Sequence, residues 1–165
     1  MKNRSINMLI VAFLLLGVMA IMLITFLGKA KEDFAENITV TENGTTESTL
    51  SVRELKLTPT ESKEYSVNLL CAASGSYSIT LDYIEKEDGG MKSFVDVVVK
   101  ADDVVVYEGK LDSLLDDDVI VGFDGNLEAK VPFVVSISYS MSRDVGNEAQ
   151  RTYSDFDIQL CIEKN

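Results

Sequence analysis

The residues of this chain that could do chemistry are its two cysteines and its clustered aspartates. Cys71 and Cys161 are the only cysteines in 165 residues, and they fall in the second and the last predicted strands. Strands in those positions pair or neighbour in many sandwiches, which favours a disulfide in an exported chain. Cys71 shares a strand face with Val67 and Leu69, whereas Cys161 lies on the polar face of its strand, which favours two separate thiols. Both alternatives stay open.

The aspartates form three short groups, and their carboxylates are the hard oxygen ligands that calcium prefers. The groups are Asp102-Asp103, Asp116-Asp117-Asp118 and Asp124-Gly125-Asn126. Their spacing is not that of an EF-hand loop, which needs a glutamate at its twelfth position. Solvated acidic turns are therefore the favoured interpretation, and we predict neither a metal nor another cofactor.

Histidine is absent from the sequence. It is the most frequent general base, the commonest zinc ligand and the usual switch near neutral pH. Without it, neither cysteine has an obvious activating partner. No pair of carboxylates stands out for glycoside hydrolysis either. We therefore predict that the protein is not an enzyme.

Charge divides the chain at residue 30. Lys2, Arg4 and Lys29 are three of the 15 cations, and none of the 27 acids lies in residues 1–30. The remainder carries 12 cations and 27 acids, a net charge of −15. Such a surface repels phosphate backbones, which excludes nucleic acid as a partner.

A leader accounts for the first 30 residues. Met8 to Leu27 is a run of 20 uncharged, mostly apolar residues preceded by two cations, and a helix of that length spans the core of a bilayer. Gly28-Lys29-Ala30 supplies the small residues of a signal-peptidase site. We predict a hydrophobic helix that is a cleaved signal peptide or a retained transmembrane anchor, with the rest of the chain outside the cell.

The remaining chain is a series of short runs in which apolar and polar residues alternate. Clear examples are Tyr65 to Cys71, Tyr77 to Tyr83, Phe133 to Tyr139 and Phe156 to Ile162. Such runs at a spacing of about 8–12 residues are typical of an antiparallel β-sandwich. We predict an all-β, jelly-roll or Ig-like sandwich over residues 48–165, with a register break near Glu54 and one short helical turn at 111–115, capped by Asp112. Tight turns are predicted at Ser74-Gly75-Ser76, Glu87-Asp88-Gly89-Gly90, Asp102-Asp103 and Asp124-Gly125-Asn126.

Residues 31–47 are polar and precede the first confident strand. Ile38 and Val40 are spaced to point to the same face of an extended segment. The segment is predicted to be either a polar stalk or a donor strand that completes the sheet of a neighbour.

Several segments resemble the TasA/camelysin family of exported Gram-positive surface and biofilm-matrix proteins. They are Tyr65-Ser66-Val67-Asn68-Leu69, Gly75-Ser76-Tyr77-Ser78-Ile79-Thr80-Leu81, Val106-Tyr107-Glu108-Gly109-Lys110-Leu111, Asp144-Val145-Gly146-Asn147-Glu148-Ala149-Gln150 and Asp155-Phe156-Asp157-Ile158. The resemblance covers about residues 50–165. It implies a jelly-roll-like sandwich, processing by signal peptidase and a role as a subunit of matrix fibres. The family's metallopeptidase label does not carry over, because the chain lacks His-Glu-x-x-His.

The long polar loop from Met141 to Arg151 is either a plain strand connection or a contact surface between subunits. The second interpretation rests on the resemblance, and its candidate residues are Asp144, Gly146, Asn147 and Glu148. Gly146 is expected to allow a backbone turn that a side chain would hinder.

These observations predict an exported structural protein at the cell surface or outside a Gram-positive-type bacterium. Its partners would be itself or a homologous fibre subunit, and fibres would form by β-strand addition. The alternative is a membrane-anchored adhesin or assembly accessory protein that does not polymerise and that keeps residues 8–27 in the membrane.

Overall fold

The computed structural model describes residues 34–42, 44–117 and 119–165. These residues form nine strands, one short α-helix and two 3-10 turns. The strands are β1 (Phe34–Val40), β2 (Thr45–Leu55), β3 (Ser62–Cys71), β4 (Gly75–Gly89), β5 (Val95–Ala101), β6 (Val104–Lys110), β7 (Val121–Leu127), β8 (Phe133–Met141) and β9 (Tyr153–Lys164). The helix α1 is Leu111–Asp116, and the 3-10 turns are Lys92–Phe94 and Asn147–Ala149.

The strands lie in two sheets, which confirms the predicted all-β sandwich. One sheet has the order β1-β3-β8-β5-β6 and the other has the order β2-β9-β4-β7. Strands β2 to β9 follow the connectivity of a jelly roll, in which the chain passes back and forth between two four-stranded sheets. β1 is added at one edge and runs parallel to β3, whereas the other strand pairs of the described chain are antiparallel.

The core lies between the sheets and is built by the predicted alternation. On β8 and β9, every second residue is buried, as period-2 geometry requires for a strand with one solvated face. Tyr139 of one sheet meets Phe156 of the other with ring centroids 5.7 Å apart. Tyr83 packs against the same Phe156 at 5.9 Å. Aromatic packing across the sandwich therefore holds the two sheets together.

Two predicted turns are wrong because strands continue through them. Asp124-Gly125-Asn126 lies inside β7, where Gly125 pairs with Tyr77. A Cβ on Gly125 would lie 3.0 Å from the Phe133 ring and 3.1 Å from Ile79, so this glycine marks close packing in a strand rather than a turn. Likewise, β4 continues through Gly89 opposite Tyr153.

The predicted hairpin at Ser74-Gly75-Ser76 is also wrong, because β3 and β4 belong to different sheets. The Asp102-Asp103 hairpin is confirmed, and both residues have positive φ values (44° and 68°), as a tight two-residue turn requires. The register break in β2 falls between Val52 and Leu55. The helix is confirmed, but Lys110 is its N-cap residue, and Asp112 instead accepts a hydrogen bond from the Ser113 N–H.

The first described strand begins at Phe34, before the predicted domain start at Ser48. Part of the predicted stalk or donor segment therefore belongs to a sheet. The described residues contain no helix that is long and apolar enough to cross a membrane. The apolar run from Met8 to Leu27 lies outside them.

Candidate functional site

β1 occupies the edge of the five-stranded sheet and pairs with β3 over its whole length, from Phe34 opposite Tyr65 to Val40 opposite Cys71. The two predicted anchor residues face the core, with 7 % of Ile38 and 2 % of Val40 exposed. On the outer face, the Asn68 amide donates a hydrogen bond of 2.9 Å to Asn37. Ile38 and Val40 therefore do act as alternating anchors, and in this structure they fill the chain's own sandwich.

A short link, residues 41–44, joins β1 to β2 and crosses from one sheet to the other. Thr41 N–H donates a hydrogen bond of 2.9 Å to the Thr46 hydroxyl. Gly44 has a φ of +100° and has no other atom within 4 Å of where a Cβ would stand. Thr41, Glu42 and Gly44 are exposed, and the glycine gives the backbone the conformational freedom that a hinge needs.

A cleft of about 570 Å³ opens at the end of the sandwich where β2 and β8 stop and β3 and β9 begin. We call this end the cleft pole. The cleft is lined by residues 56–61, between β2 and β3, and by residues 145–152, between β8 and β9. Leu57 and Ala149 are buried there, and Val145 packs against the core. The floor is therefore apolar.

The predicted contact loop forms one wall of this cleft. Gly146 and Asn147 line the cleft directly. Gly146 N–H donates to the Glu148 carboxylate at 3.1 Å, and the Gln150 amide donates to Asn147 at 2.7 Å. Hydrogen bonds from its own N–H and that of Gly146 hold the pKa of Glu148 below its usual value. Asp144 lies in the same loop, and its N–H donates to the Ser142 hydroxyl.

Gly146 has a φ of −85°, so the backbone here does not need the left-handed conformation that favours glycine. A Cβ at this position would instead lie 2.6 Å from a Glu148 carboxylate oxygen. The glycine therefore leaves room for the carboxylate that bonds to its N–H.

Both acids and cations border the cleft. The Glu61 carboxylate accepts hydrogen bonds of 2.9 Å from the Thr58 N–H and from the Thr58 hydroxyl. Lys56 is paired with Glu54 at 2.8 Å. Arg151, by contrast, is exposed and has no ion-pair partner among residues 34–42, 44–117 and 119–165. An unpaired cation thus stands at the rim of an apolar cleft.

Both cysteines are free thiols. Cys71 lies on β3 with its side chain in the core, where its thiol donates to the Glu128 carbonyl at 3.4 Å. Cys161 lies on β9 in the other sheet, on its outer face. Of the two alternatives that the sequence leaves open, the structure therefore has separate thiols and not the disulfide, because the two strands lie in different sheets and the side chains point in different directions.

Asp118 lies outside the described residues, and the other members of the three acidic groups do not come together as a metal site. The described part of the chain contains no group of three or more histidine, cysteine, aspartate or glutamate residues placed to hold a metal ion. Asp102 instead accepts a hydrogen bond of 2.8 Å from the Val134 N–H. Asp124 lies on the outer face of its sheet, 3.4 Å from the amide of Asn165.

Sequence reasoning missed half of the cleft. It assigns no role to residues 56–61, and it includes Arg151 only as the end of the polar loop. The polar connections that follow β2 and precede β9 are the features of the sequence that could have indicated the cleft. They indicate it only once β2 and β9 are known to be neighbours.

Eight strands in jelly-roll order, with one added edge strand, define the chain as a β-sandwich protein. No protein-family model matches the sequence, and no curated protein matches it significantly.

Among solved structures, the chain is similar to PliG, the periplasmic inhibitor of g-type lysozyme from Aeromonas hydrophila (15 % identity, 81 % of this chain and 99 % of that chain covered, TM-score 0.33). It is also similar to the C-terminal CBM6 domain of LamC from Zobellia galactanivorans (11 % identity, 73 % of this chain and 100 % of that chain covered, TM-score 0.34). A third similar structure is the pre-peptidase C-terminal domain of collagenase from Bacillus anthracis (11 % identity, 82 % of this chain and 100 % of that chain covered, TM-score 0.33). The function therefore has to be argued from the surface of this chain.

Proposed function

We propose that the protein is an exported structural subunit of cell-surface or matrix fibres, and that copies join by exchanging β1. The observation that carries this proposal is the position of β1, a seven-residue edge strand bound only to β3 in sheet pairing and anchored in the core by Ile38 and Val40. A short strand on an edge is the element that an assembly can exchange at least cost, since a strand from the neighbour can refill both the sheet edge and the space in the core.

Release of β1 would leave two features that need covering. The edge of β3 would present unpaired backbone groups from Tyr65 to Cys71. The space filled by Ile38 and Val40 would open to solvent, exposing apolar core. An equivalent strand from a second copy satisfies both, which is the physical basis of β-augmentation. The net charge of −15 beyond residue 30 keeps chains apart until such a specific contact forms.

The position of the link decides the geometry of exchange. The link lies at the end of the sandwich that also carries the Asp102-Asp103 turn, which we call the hairpin pole. Suppose that this pole meets the cleft pole of the next copy. β1 then lies in that copy with Val40 nearest the acceptor's cleft pole, and it runs antiparallel to the acceptor's β3. If two hairpin poles meet, β1 stays parallel and the exchange closes into a dimer. In a fibre, the pairing of β1 with β3 therefore changes from parallel to antiparallel, and antiparallel pairing is slightly more stable per residue.

Export and removal of the leader belong to the same proposal. A free N-terminus near Lys31 lets β1 move, whereas an intact leader in the membrane holds it back. Signal peptidase would thus be the partner that permits assembly. The mass and N-terminal sequence of the mature protein check this step. An intact Met1 in the membrane fraction, without polymers, is the outcome expected for the anchored adhesin instead.

A reversible staple tests strand exchange in the full-length mature chain. Asn37 and Asn68 are register partners whose side chains already touch, and neighbouring strands lie within the reach of a disulfide. The variant Asn37→Cys/Asn68→Cys, with Cys71→Ala and Cys161→Ser, holds β1 in its own sandwich when oxidised. We expect oxidised protein to stay monomeric by sedimentation and electron microscopy, and reduced protein to form fibres.

The matched control staples β3 to β8 through Ser66→Cys/Ser136→Cys, which are register partners on the same outer face. This variant should form fibres in both redox states. Deletion of residues 31–47 should likewise give soluble monomers. Full-length fibres from the oxidised Asn37–Asn68 staple, or from the deletion variant, would refute the exchange of β1.

A further inference from the structure

The hairpin between β5 and β6 ends in a rigid acidic tip. Asp102 N–H donates to the Val134 carbonyl at 2.9 Å, and Val134 N–H donates back to the Asp102 carboxylate at 2.8 Å. These bonds tie the turn to β8. The carboxylate of Asp103 has no hydrogen-bond or ion-pair partner among residues 34–42, 44–117 and 119–165, so it is available to a visitor.

Apolar side chains surround this tip. Val104 and Val105, directly after the turn, are 65 % and 50 % exposed. Val131 and Val134 are exposed close by, at the start of β8. These four are among the six exposed large hydrophobic residues of the described chain. Their concentration at one pole is typical of a contact surface rather than of scattered surface residues.

The opposite pole carries the complementary surface. The cleft has an apolar floor of Leu57, Val145 and Ala149, and Arg151 stands unpaired at its rim. Its wall is preformed, because Thr152 donates to the Ala149 carbonyl at 2.7 Å and Gln150 bonds to Asn147. An acidic turn followed by a valine is complementary in charge to Arg151 and in polarity to the floor of the cleft.

We propose that the β5–β6 tip of one copy, through Asp103 and Val104, docks in the cleft of a second copy, with Asp103 facing Arg151. The two surfaces lie at opposite poles of one chain, so each copy offers a tip at one end and a cleft at the other. Such a contact between unlike surfaces does not close on a dimer, so it orders copies head to tail, and the exchange of β1 then holds them in a filament. The proposal rests on the proposed self-assembly and deepens it.

The docking also fixes the direction of strand exchange. With a tip in the cleft, the hairpin pole of one copy meets the cleft pole of the next. The link at residues 41–44 then delivers β1 to the open end of the neighbour's β3. The contact therefore selects the open fibre over the closed dimer that two hairpin poles would form.

A charge exchange tests the contact in the mature full-length chain. Asp103→Arg and Arg151→Glu each place like charges in the docked pair, and each should raise the concentration needed for assembly about tenfold, since like charges at an interface cost a kcal/mol or more. The double variant restores opposite charges and should return to within about threefold of wild type. Glu108→Arg, in the middle of the β5–β6 pairing and away from both poles, changes the net charge as Asp103→Arg does and should match wild type.

Cross-linking reports the contact directly and separates it from strand exchange. Chains carrying Asp103→Cys and chains carrying Gln150→Cys, both with Cys161→Ser, are mixed and oxidised, and a mixed dimer is expected even when the β1 staple blocks fibres. Fibres with wild-type behaviour in both single charge variants would overturn the docking while leaving the proposed function intact. Symmetric Asp103→Cys dimers alone would overturn it in favour of tip-to-tip contact. If the wild-type chain does not assemble and the mixed cysteine variants do not cross-link, both proposals are overturned.

Discussion

The ammonium group of Lys92 lies 2.7 Å from the Asp116 carboxylate, and this contact joins the 3-10 turn after β4 to the end of α1. The same ammonium lies 2.9 Å from Glu85 and 3.2 Å from Asp88. One half-buried cation therefore holds three acids together. Its hydrogen bond to Asp116, followed by those to Glu85 and Asp88, raises the pKa of Lys92 above its usual value.

Lys92→Met should lower the free energy of unfolding by about 2 kcal/mol, because charge-assisted hydrogen bonds are lost and three acids are left to repel one another. Urea denaturation followed by circular dichroism measures the change. Lys100→Met is the control, since Lys100 has no ion pair in the described chain. Equal stability of the two variants would contradict a role for the cluster.

The cluster also predicts an acid dependence of stability. The Gly90 N–H, and then Lys92, lower the pKa of Asp88. A lowered folded-state pKa means that the stabilisation is present above the unfolded value near 4 and is lost as pH falls through the folded value. Asp88→Asn cannot titrate, so its unfolding free energy should fall less steeply than that of wild type between about pH 5 and 2. Identical slopes in urea titrations would count against this assignment. For Lys92 the sign is opposite, and its contribution is lost only as pH rises above about 10.

Gly125→Ala should destabilise the fold by about 1–3 kcal/mol, the usual range for overpacking a core. The new Cβ would be only 3.0 Å from Phe133, 3.1 Å from Ile79 and 3.2 Å from Leu127. Thermal unfolding measures the effect. Gly122→Ala, on the same strand, is the matched control because its Cβ meets only Thr80 at 3.7 Å. If both alanine variants unfold at the same temperature, the close packing around Gly125 does not limit stability.

The thiols should differ in accessibility. A maleimide should label Cys161 in the native protein, because it is only half-buried, whereas Cys71 is 3 % exposed and should react only after unfolding. Intact mass before and after denaturation counts the labels, with Cys161→Ser as the control for the native signal. Failure of both cysteines to react after unfolding, in the absence of reductant, would indicate a disulfide and contradict the structure.

Asp102→Ala should loosen the hairpin tip by about 1 kcal/mol, since the Val134 N–H loses its carboxylate partner. Hydrogen exchange at the Val134 amide should become several-fold faster, because 1 kcal/mol corresponds to about fivefold. Asp103→Ala is matched to it, as that residue also has a positive φ but leaves the bond to Val134 in place. Equal exchange rates in the two variants would mean that the bond does not hold the tip.

Local patterns in the sequence were sufficient for much of the fold. The alternation in Phe133–Met141 and Tyr153–Lys164 predicted both the strands and their buried faces, because side chains of a strand alternate with a period of two whatever the strand pairs with. The Asp102-Asp103 turn was also predictable, because the conformation of a turn depends on a few adjacent residues. That Ile38 and Val40 lie on the same face of their strand also followed from their spacing.

Only the tertiary structure decided which strands became neighbours. The parallel placement of β1 beside β3, the separation of Cys71 from Cys161 and the meeting of residues 56–61 with 145–152 all depend on pairings between distant parts of the chain. Period-two alternation assigns a face to each residue but carries no information about which strand lies alongside. Strand pairing is set by the packing of the whole core, and so the cleft and the exchangeable edge emerge only once both sheets have formed.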